Sequence, residues 1–267
     1  MEKYRQGDHT FVVCAYQESP YLEECVRSLK KQKITTNICI ATSTPNKYIT
    51  GIAEKYRLPV FVNYGEKGIA GDWNFACTCA ETKLVTLAHQ DDIYCERYTE
   101  RILDVLNQCS CPIIAFSDYY EIRNGEKVVK STLLNIKRLL LFPLRWKCLW
   151  KNRFIRRRIL SVGSAICCPT VTLVKENIDM PVFKNNMKSN IDWQAWEELS
   201  KYKGEFAYVP FPEVMHRIHA ESTTTGLLEV DGRKEEDLFM FRKFWPGWIA
   251  AVIDWFYKSN EKFNRID

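Results

Sequence analysis

Through its first 118 residues the chain alternates short apolar runs with segments whose apolar residues recur at helical spacing, a pattern that few folds accept. The runs at 10–15, 37–41, 59–63, 84–88 and 112–116 have the length and composition of buried strands. Between them, 20–31, 47–57, 69–81 and 96–107 read as helices. In the first, Leu22, Cys25, Val26 and Leu29 share a face; in the third, Trp73, Ala76, Cys77 and Ala80 do. This order predicts an α/β fold with a Rossmann-like, mostly parallel central sheet flanked by helices. Ligands of such sheets bind beyond the carboxyl ends of the strands. The residues just past each run therefore carry the functional expectations: Tyr16 to Glu18, Thr42 to Thr44, Tyr64 with Gly65, His89 to Asp92, and Ser117 with Asp118.

After residue 118 the alternation loosens. Residues 119–130 read as a hairpin around Asn124-Gly125. The basic, apolar stretch 133–160 reads as helical with a break at Pro143. A strand is expected at 164–168, a helix at 191–202 capped by Ser189 or Asn190, and a last strand at 206–209. Helix is expected again over 235–263, interrupted at Pro246-Gly247. The organisation expected is one large domain over 1–230, divided into 1–118 and 119–230, with a C-terminal helical extension over 231–267.

The net charge of +5 is local. From 127 to 175 there are 12 Lys or Arg and no acid, so the rest of the chain is net acidic. Within 137–158 the bases alternate with Leu139, Phe142, Trp146, Trp150 and Phe154. A basic, aromatic-rich stretch suits an anionic membrane surface; no DNA or RNA motif accompanies it, and no nucleic acid partner is expected. The first ten residues are polar and no apolar run reaches about 20 residues. The expectation is a cytoplasmic protein, peripheral on the inner face of the membrane. Eleven cysteines, an odd number without zinc-ligand spacing, read as reduced thiols.

Three groups of residues can carry chemistry. Asp91 and Asp92 follow an apolar strand, and adjacent carboxylates repel unless a cation is near; hard divalent ions suit such oxygen ligands. The bland alternative is a solvated turn. Asp192 begins a helix, where an acid offsets the helix dipole or serves as a general base. Trp193 and Trp196 beside it are either core or a sugar-stacking face. In His216-Arg217-Ile218-His219, Arg217 suits a phosphate and His219 a metal or phosphate. Glycines 65, 68 and 71 form neither a dinucleotide fingerprint nor a Walker loop. Asp72 and Asn74 near that helix start either cap it or face a nucleotide.

Together these pieces resemble a family-2 glycosyltransferase of the GT-A fold. VVCAYQESPYLEECVRSLKKQ resembles the family's first strand and helix. NYGEKGIAGDWNFA resembles the segment before its metal strand, and VTLAHQDDIY the strand ending in its Asp-x-Asp motif. NIDWQAWEELSK resembles its acidic helix start, and HRIHAEST its late Arg-x-His-x-x-Ser segment. Five such pieces in order span about residues 10 to 225.

The resemblance implies an inverting, metal-dependent hexosyl transfer from a nucleotide-diphosphate sugar, a UDP-sugar by expectation. The acceptor would be a hydroxyl on a lipid-linked or cell-surface glycan. Tyr16, Glu18, Thr42 and Ser43 are expected to face the base and ribose, with Asp72 and Asn74 helping. Asp91 stands at the metal-binding Asp, with Asp92 and His219 beside it for Mn²⁺ or Mg²⁺. His89 replaces the first Asp of the motif and, with Gln90, is expected on the nucleotide sugar. Asp192 stands at the catalytic base, preceded by Ile191 where the family has Glu; Arg217 lies in the segment that closes over the diphosphate. A nucleotidyltransferase and a catalytically degenerate nucleotide- or membrane-binding relative are the alternatives. The first would carry a Gly-rich basic loop where this chain has AYQESPY.

Overall fold

The apolar runs do become strands, and they assemble in parallel. In the computed structural model, which describes residues 3–218 and 232–261, β1 (His9–Ala15) pairs in parallel with β2 (Asn37–Thr42) on one side and β4 (Leu84–His89) on the other. β3 (Val60–Val62) extends the sheet beyond β2. β1 and β4 are buried on both faces, which is why they read as continuous apolar runs rather than alternating ones. The crossovers are α1 (Leu22–Lys30), α2 (Lys47–Tyr56) and α3 (Ile69–Cys79), followed after β4 by the short β5 (Ile93–Tyr94) and α4 (Tyr98–Asn107). Leu22, Cys25, Val26 and Leu29 are the buried face of α1, along with Ser28.

The second half completes a nine-stranded mixed sheet ordered β3-β2-β1-β4-β8-β6-β9-β5, with β7 on β6. β6 (Pro112–Arg123) turns through Asn124-Gly125 into β7 (Glu126–Val128), giving the expected hairpin. Both turn residues have positive φ, which Asn and Gly tolerate. β8 (Val171–Val174) inserts antiparallel between β4 and β6. It corrects the strand expected at 164–168. A 3-10 turn at Cys168–Thr170, with Pro169 inside it, ends that run, and the β-branched residues after it pair instead.

β9 runs Glu205–Ile218, far past the expected 209. Its ladder with β6 jumps from Ser117↔Val209 to Asp118↔Pro212. That bulge absorbs Pro210, and the strand resumes beyond it. The stretch 133–160 is not one helix. α5 (Thr132–Leu141) gives way at Pro143 to 3-10 turns, and only Arg153–Arg158, α6, is helical again. α7 is Ile191–Leu199. α8 (Gly232–Arg242) and α9 (Gly247–Glu261) are broken at Pro246-Gly247 as expected. α8 docks on α7: Phe241, wholly buried, meets Trp193 edge-on at 5.3 Å. No helix among the described residues is long and apolar enough to cross a membrane.

Candidate active site

Strand register builds the donor side. Because Cys14 lies opposite His89 and Ala15 opposite Thr42, the ends of β1, β2 and β4 come level. Tyr16 and Gln90 then meet: Gln90 Nε2 donates to the Tyr16 carbonyl and its Oε1 accepts from Tyr16 N, both at 3.0 Å. The Tyr16 ring is left 54% exposed at the rim, with Glu18 exposed beside it. Thr42 is buried and accepts from Thr44 N; Ser43 Oγ donates to Asp72 at 2.9 Å. Asn63 Nδ2 donates to the other Asp72 oxygen and to the Glu66 carbonyl. Residues 63–68 thus fold back on the first turn of α3. Gly71 permits this, because a Cβ there would collide with the Glu66 backbone. Asn74 does not cap α3. Its amide pairs both ways with the backbone of Phe183, at 2.7 and 3.0 Å, tying α3 to the segment before α7.

At the end of β4, ligand atoms of His89, Asp91 and Asp92 lie within 4.8 Å of one another. Their environments differ. His89 stacks on Trp73 at 5.1 Å, and its buried Nε2 has no hydrogen-bond partner among the described residues. Burial lowers its pKa, so at neutral pH the ring is an uncharged donor of a lone pair. Asp92 is wholly buried. It accepts from Arg217 N at 2.9 Å and lies 3.0 Å from His216 Nδ1. Burial pushes the Asp92 carboxyl up, but His216 and Arg217 N overcome it and the net is downward. For His216 burial pulls down and Asp92 pulls up, with a net rise. The second acid of the pair therefore fastens the turn to β9.

Arg217 does the same from the next position. It is 9% exposed, donates from Nε to the Asp91 carbonyl at 3.0 Å and from Nη2 to Glu24 at 2.7 Å, and stacks on Tyr21 at 4.1 Å. The guanidinium joins α1, the acidic turn and β9. The neighbouring His219 lies outside the described residues.

Asp192 occupies the first turn of α7 and accepts from Trp193 N at 2.7 Å. Trp193 and Trp196 are buried, which removes the sugar-stacking reading of these two rings. Asn190 is the N-cap residue, yet its side chain makes no cap bond. Sequence reasoning missed His216 as a partner of Asp92 and Glu24 as a partner of Arg217. The strand alternation that sets His216 apart from Arg217 was the available signal for the first; nothing local marks Glu24, 193 residues away from Arg217.

A neutral imidazole nitrogen beside a carboxylate, at the carboxyl end of a parallel strand, is a donor set that fits a divalent cation. Comparisons with known proteins agree with the fold. The profile of Glycosyl transferase family 2 matches residues 10–183. Among solved structures, S. aureus TarS 1-349 in complex with UDP-GlcNAc is similar at TM-score 0.59 and 17% identity, over 92% of this chain and 70% of that one. A mannosyltransferase of Pyrobaculum calidifontis, PcManGT, in complex with GDP-Man and Mn²⁺, gives 0.59 at 13% identity, over 90% and 64%. Glucosyl-3-phosphoglycerate synthase of Mycobacterium tuberculosis, with Mn²⁺ and UDP-glucose, gives 0.56 at 12%, over 90% and 80%. At these identities the likeness concerns the fold. A search of curated proteins found no match.

Proposed function

The chain belongs to glycosyl transferase family 2, and from that premise we propose that it moves a hexose from a UDP-sugar to a hydroxyl of a lipid-linked or cell-surface glycan, with Asp192 as the base. Nucleotide-sugar-dependent glycosyl transfer, in an inverting family, is the family's activity. The observation that carries the finer reading is the cluster of His89, Asp91 and Asp92 beyond the carboxyl end of β4, with Asp192 in the first turn of α7 as the base that the family resemblance supplies. Two of the three similar structures named above hold a UDP-sugar and two hold Mn²⁺, which supports the donor and the metal.

In the proposed step the Asp192 carboxylate takes the proton of the acceptor hydroxyl. The acceptor oxygen bonds to the anomeric carbon on the face opposite the nucleotide. The carbon–oxygen bond to the diphosphate breaks, and its electron pair leaves on the diphosphate oxygen, inverting the centre. Asp91 and His89 Nε2 would hold Mn²⁺ or Mg²⁺, with His219 as a further ligand. Such an ion supplies Lewis-acid neutralisation of the departing charge. Asp92 and Arg217 keep the Asp91 turn in place. Tyr16, Glu18, Ser43, Asp72 and Gln90 would form the rim for base and ribose, with the buried Thr42 beneath them. A nucleotidyltransferase is disfavoured by the acidic, glycine-free segment after β1.

A thermal-shift panel tests the reading: UDP-GlcNAc, UDP-glucose and GDP-mannose, each with and without Mn²⁺, on the wild type and Asp91→Ala. The expected result is a metal-dependent rise with a UDP-sugar, absent in the variant. At ligand near 100 times Kd the stabilisation is about 2.7 kcal/mol. No rise with any nucleotide sugar would sink the enzymatic reading and leave the degenerate one.

The membrane contact belongs to the same proposal, in a changed form. Lys137, Arg138, Arg156 and Arg157 are turned inward, to Tyr119, Asp118, the Tyr202 carbonyl and Glu197. Arg145, Lys147, Lys151 and Arg153 remain exposed, among exposed Leu139, Phe142, Trp146 and Phe154. On α9, Trp248, Trp255 and Phe256 are also exposed. Flotation should recover the protein with vesicles of phosphatidylglycerol and phosphatidylcholine, and Arg145→Glu with Lys147→Glu should cut recovery. Equal recovery on neutral vesicles alone would refute the charge-led contact.

A further inference from the structure

One carboxylate of the C-terminal helices is bonded to the segment that leads into the proposed base. Glu236, on α8, accepts from Lys188 N at 2.7 Å on Oε1, and on Oε2 from Ser189 N at 2.9 Å, Ser189 Oγ at 2.6 Å and Asn190 N at 3.1 Å. Burial pushes the Glu236 carboxyl up, but these donors outweigh it and hold it ionised. The next residue, Asp237, accepts from Asn190 Nδ2 at 2.7 Å and is 1% exposed. Asn190 is the N-cap of α7, and Asp192 follows two residues later.

α7 has further anchors besides these bonds. Downstream of Asp192 the helix is already fixed by Trp193, whose Nε1 donates to the Leu160 carbonyl and whose ring meets Phe241. Glu197 anchors it further to Arg157 and Lys201. The Glu236 and Asp237 bonds all fall upstream, on residues 188–190. Asp192 is therefore gripped on both sides, and the upstream grip includes these side chains of α8. Four donors converging on one carboxylate fix position and angle more tightly than a single cap bond does.

We propose that Glu236, with Asp237 beside it, is a positioning residue: through residues 188–190 it sets the place of Asp192, so that the α8 helix is a working part of the active site. This rests on Asp192 being the base. Displacement of a reacting group by about 1 Å can cost on the order of 100-fold in rate, so losing the clamp should reduce turnover without reducing donor binding.

The test uses the full chain with Glu236→Ala, the milder Ser189→Ala, Asp192→Asn, and each clamp variant combined with Asp192→Asn. Two readouts are taken. The first is amide hydrogen exchange over 188–193, which needs no ligand. The second is Mn²⁺-supported hydrolysis of UDP-GlcNAc, UDP-glucose and GDP-mannose, read as nucleoside diphosphate released. Glu236→Ala should speed exchange at 188–190 about tenfold or more and leave β1 and β4 unchanged. Turnover should fall ten- to about 100-fold at unchanged donor KM, with no further loss in the Asp192→Asn background. Ser189→Ala should move both readouts the same way, by less, and stands alone if Glu236→Ala does not fold. Unchanged exchange, or an equal loss on top of Asp192→Asn, overturns the proposal. Wild-type turnover in Asp192→Asn overturns the base assignment instead, whatever the exchange shows. If the wild type hydrolyses none of the three sugars, the inference fails along with the proposed function.

Discussion

The two halves of the sheet bury polar groups in different ways. Before residue 118 the interior is held by neutral groups. His9 is 1% exposed and bonds Thr36 at 3.0 Å and Thr86 at 2.8 Å; Thr86 bonds Thr172, and Gln32 takes both donors of Thr99. After it the interior is charged. Asp118, Glu121, Glu197, Glu213, Arg156 and Arg217 are all buried, and among the described residues Asp92 is the one buried Asp, Glu or Arg that precedes 118. Even Asp92 takes its partners, His216 and Arg217, from β9. The parallel half can be assembled by apolar burial alone. The later half brings charges inward, and Asp118, Glu121, Glu197, Glu213 and Arg217 each come with an opposite partner, because an unpaired buried charge costs several kcal/mol; Arg156 instead donates to the Tyr202 carbonyl.

If that contrast is right, the halves should fail differently. The largest effect is expected at Glu197, which is 1% exposed in its side chain and bridges Arg157 at 2.6 Å and Lys201 at 2.8 Å. Burial raises its carboxyl, and the two cations overcome that and hold it down. Glu197→Ala should cost about 3 kcal/mol in urea unfolding, the low end for breaking a buried pair. The low end applies because Lys201 is 51% exposed and can be rehydrated. A loss below about 1 kcal/mol would place this network with surface pairs and erase the contrast.

How much of this was readable from sequence follows the same divide. In the parallel half each strand is specified by its own residues, since burial on both faces writes a continuous apolar run; β1, β2, β3 and β4 all fall where the pattern put them. In the later half β8 lies past the run expected at 164–168 and β9 runs on past 209, because Pro169 sits in a 3-10 turn and Pro210 in a bulge. Only a ladder with β6 shows that β9 continues past its bulge. The site divides likewise. That Asp91 and Asp192 sit at a strand end and a helix start was legible from local pattern. That Asp92 is buried against His216, that Arg217 bonds Glu24, and that Glu236 holds 188–190 are long-range pairings, and no spacing in the sequence encodes them.

Acid should separate the halves in a second way, by about 2 kcal/mol. Burial lowers His9 from 6.5 to about 3. The unfolded chain therefore binds a proton at this position between those two values while the native chain does not. The contribution is fully present above 6.5 and is lost as the pH falls. Between pH 7 and 5 the loss is about 2 kcal/mol. Glu197, whose pKa is depressed, acts only below its ordinary 4.5. So His9→Gln should flatten the stability curve from pH 7 to 5 and leave the steep fall below 4.5. An unchanged slope from 7 to 5 would mean that another group, not the neutral interior of the parallel half, sets the first acid loss.

The smallest effect should show no contrast at all. Asn46 caps α2 by accepting from Ile49 N at 2.9 Å, and Asn152 caps α6 by accepting from Ile155 N at 3.2 Å. A cap satisfies an orphan N–H of the first turn, a local interaction indifferent to what the rest of the sheet buries. Asn46→Ala and Asn152→Ala should each cost about 1 kcal/mol in urea unfolding, with unchanged m. Equal costs would confine the difference between the halves to buried charge. A much larger loss at Asn152 would have a specific meaning: α6 carries Arg156 and Arg157, and its cap would then be holding the ion network around Glu197 as well as its own first turn.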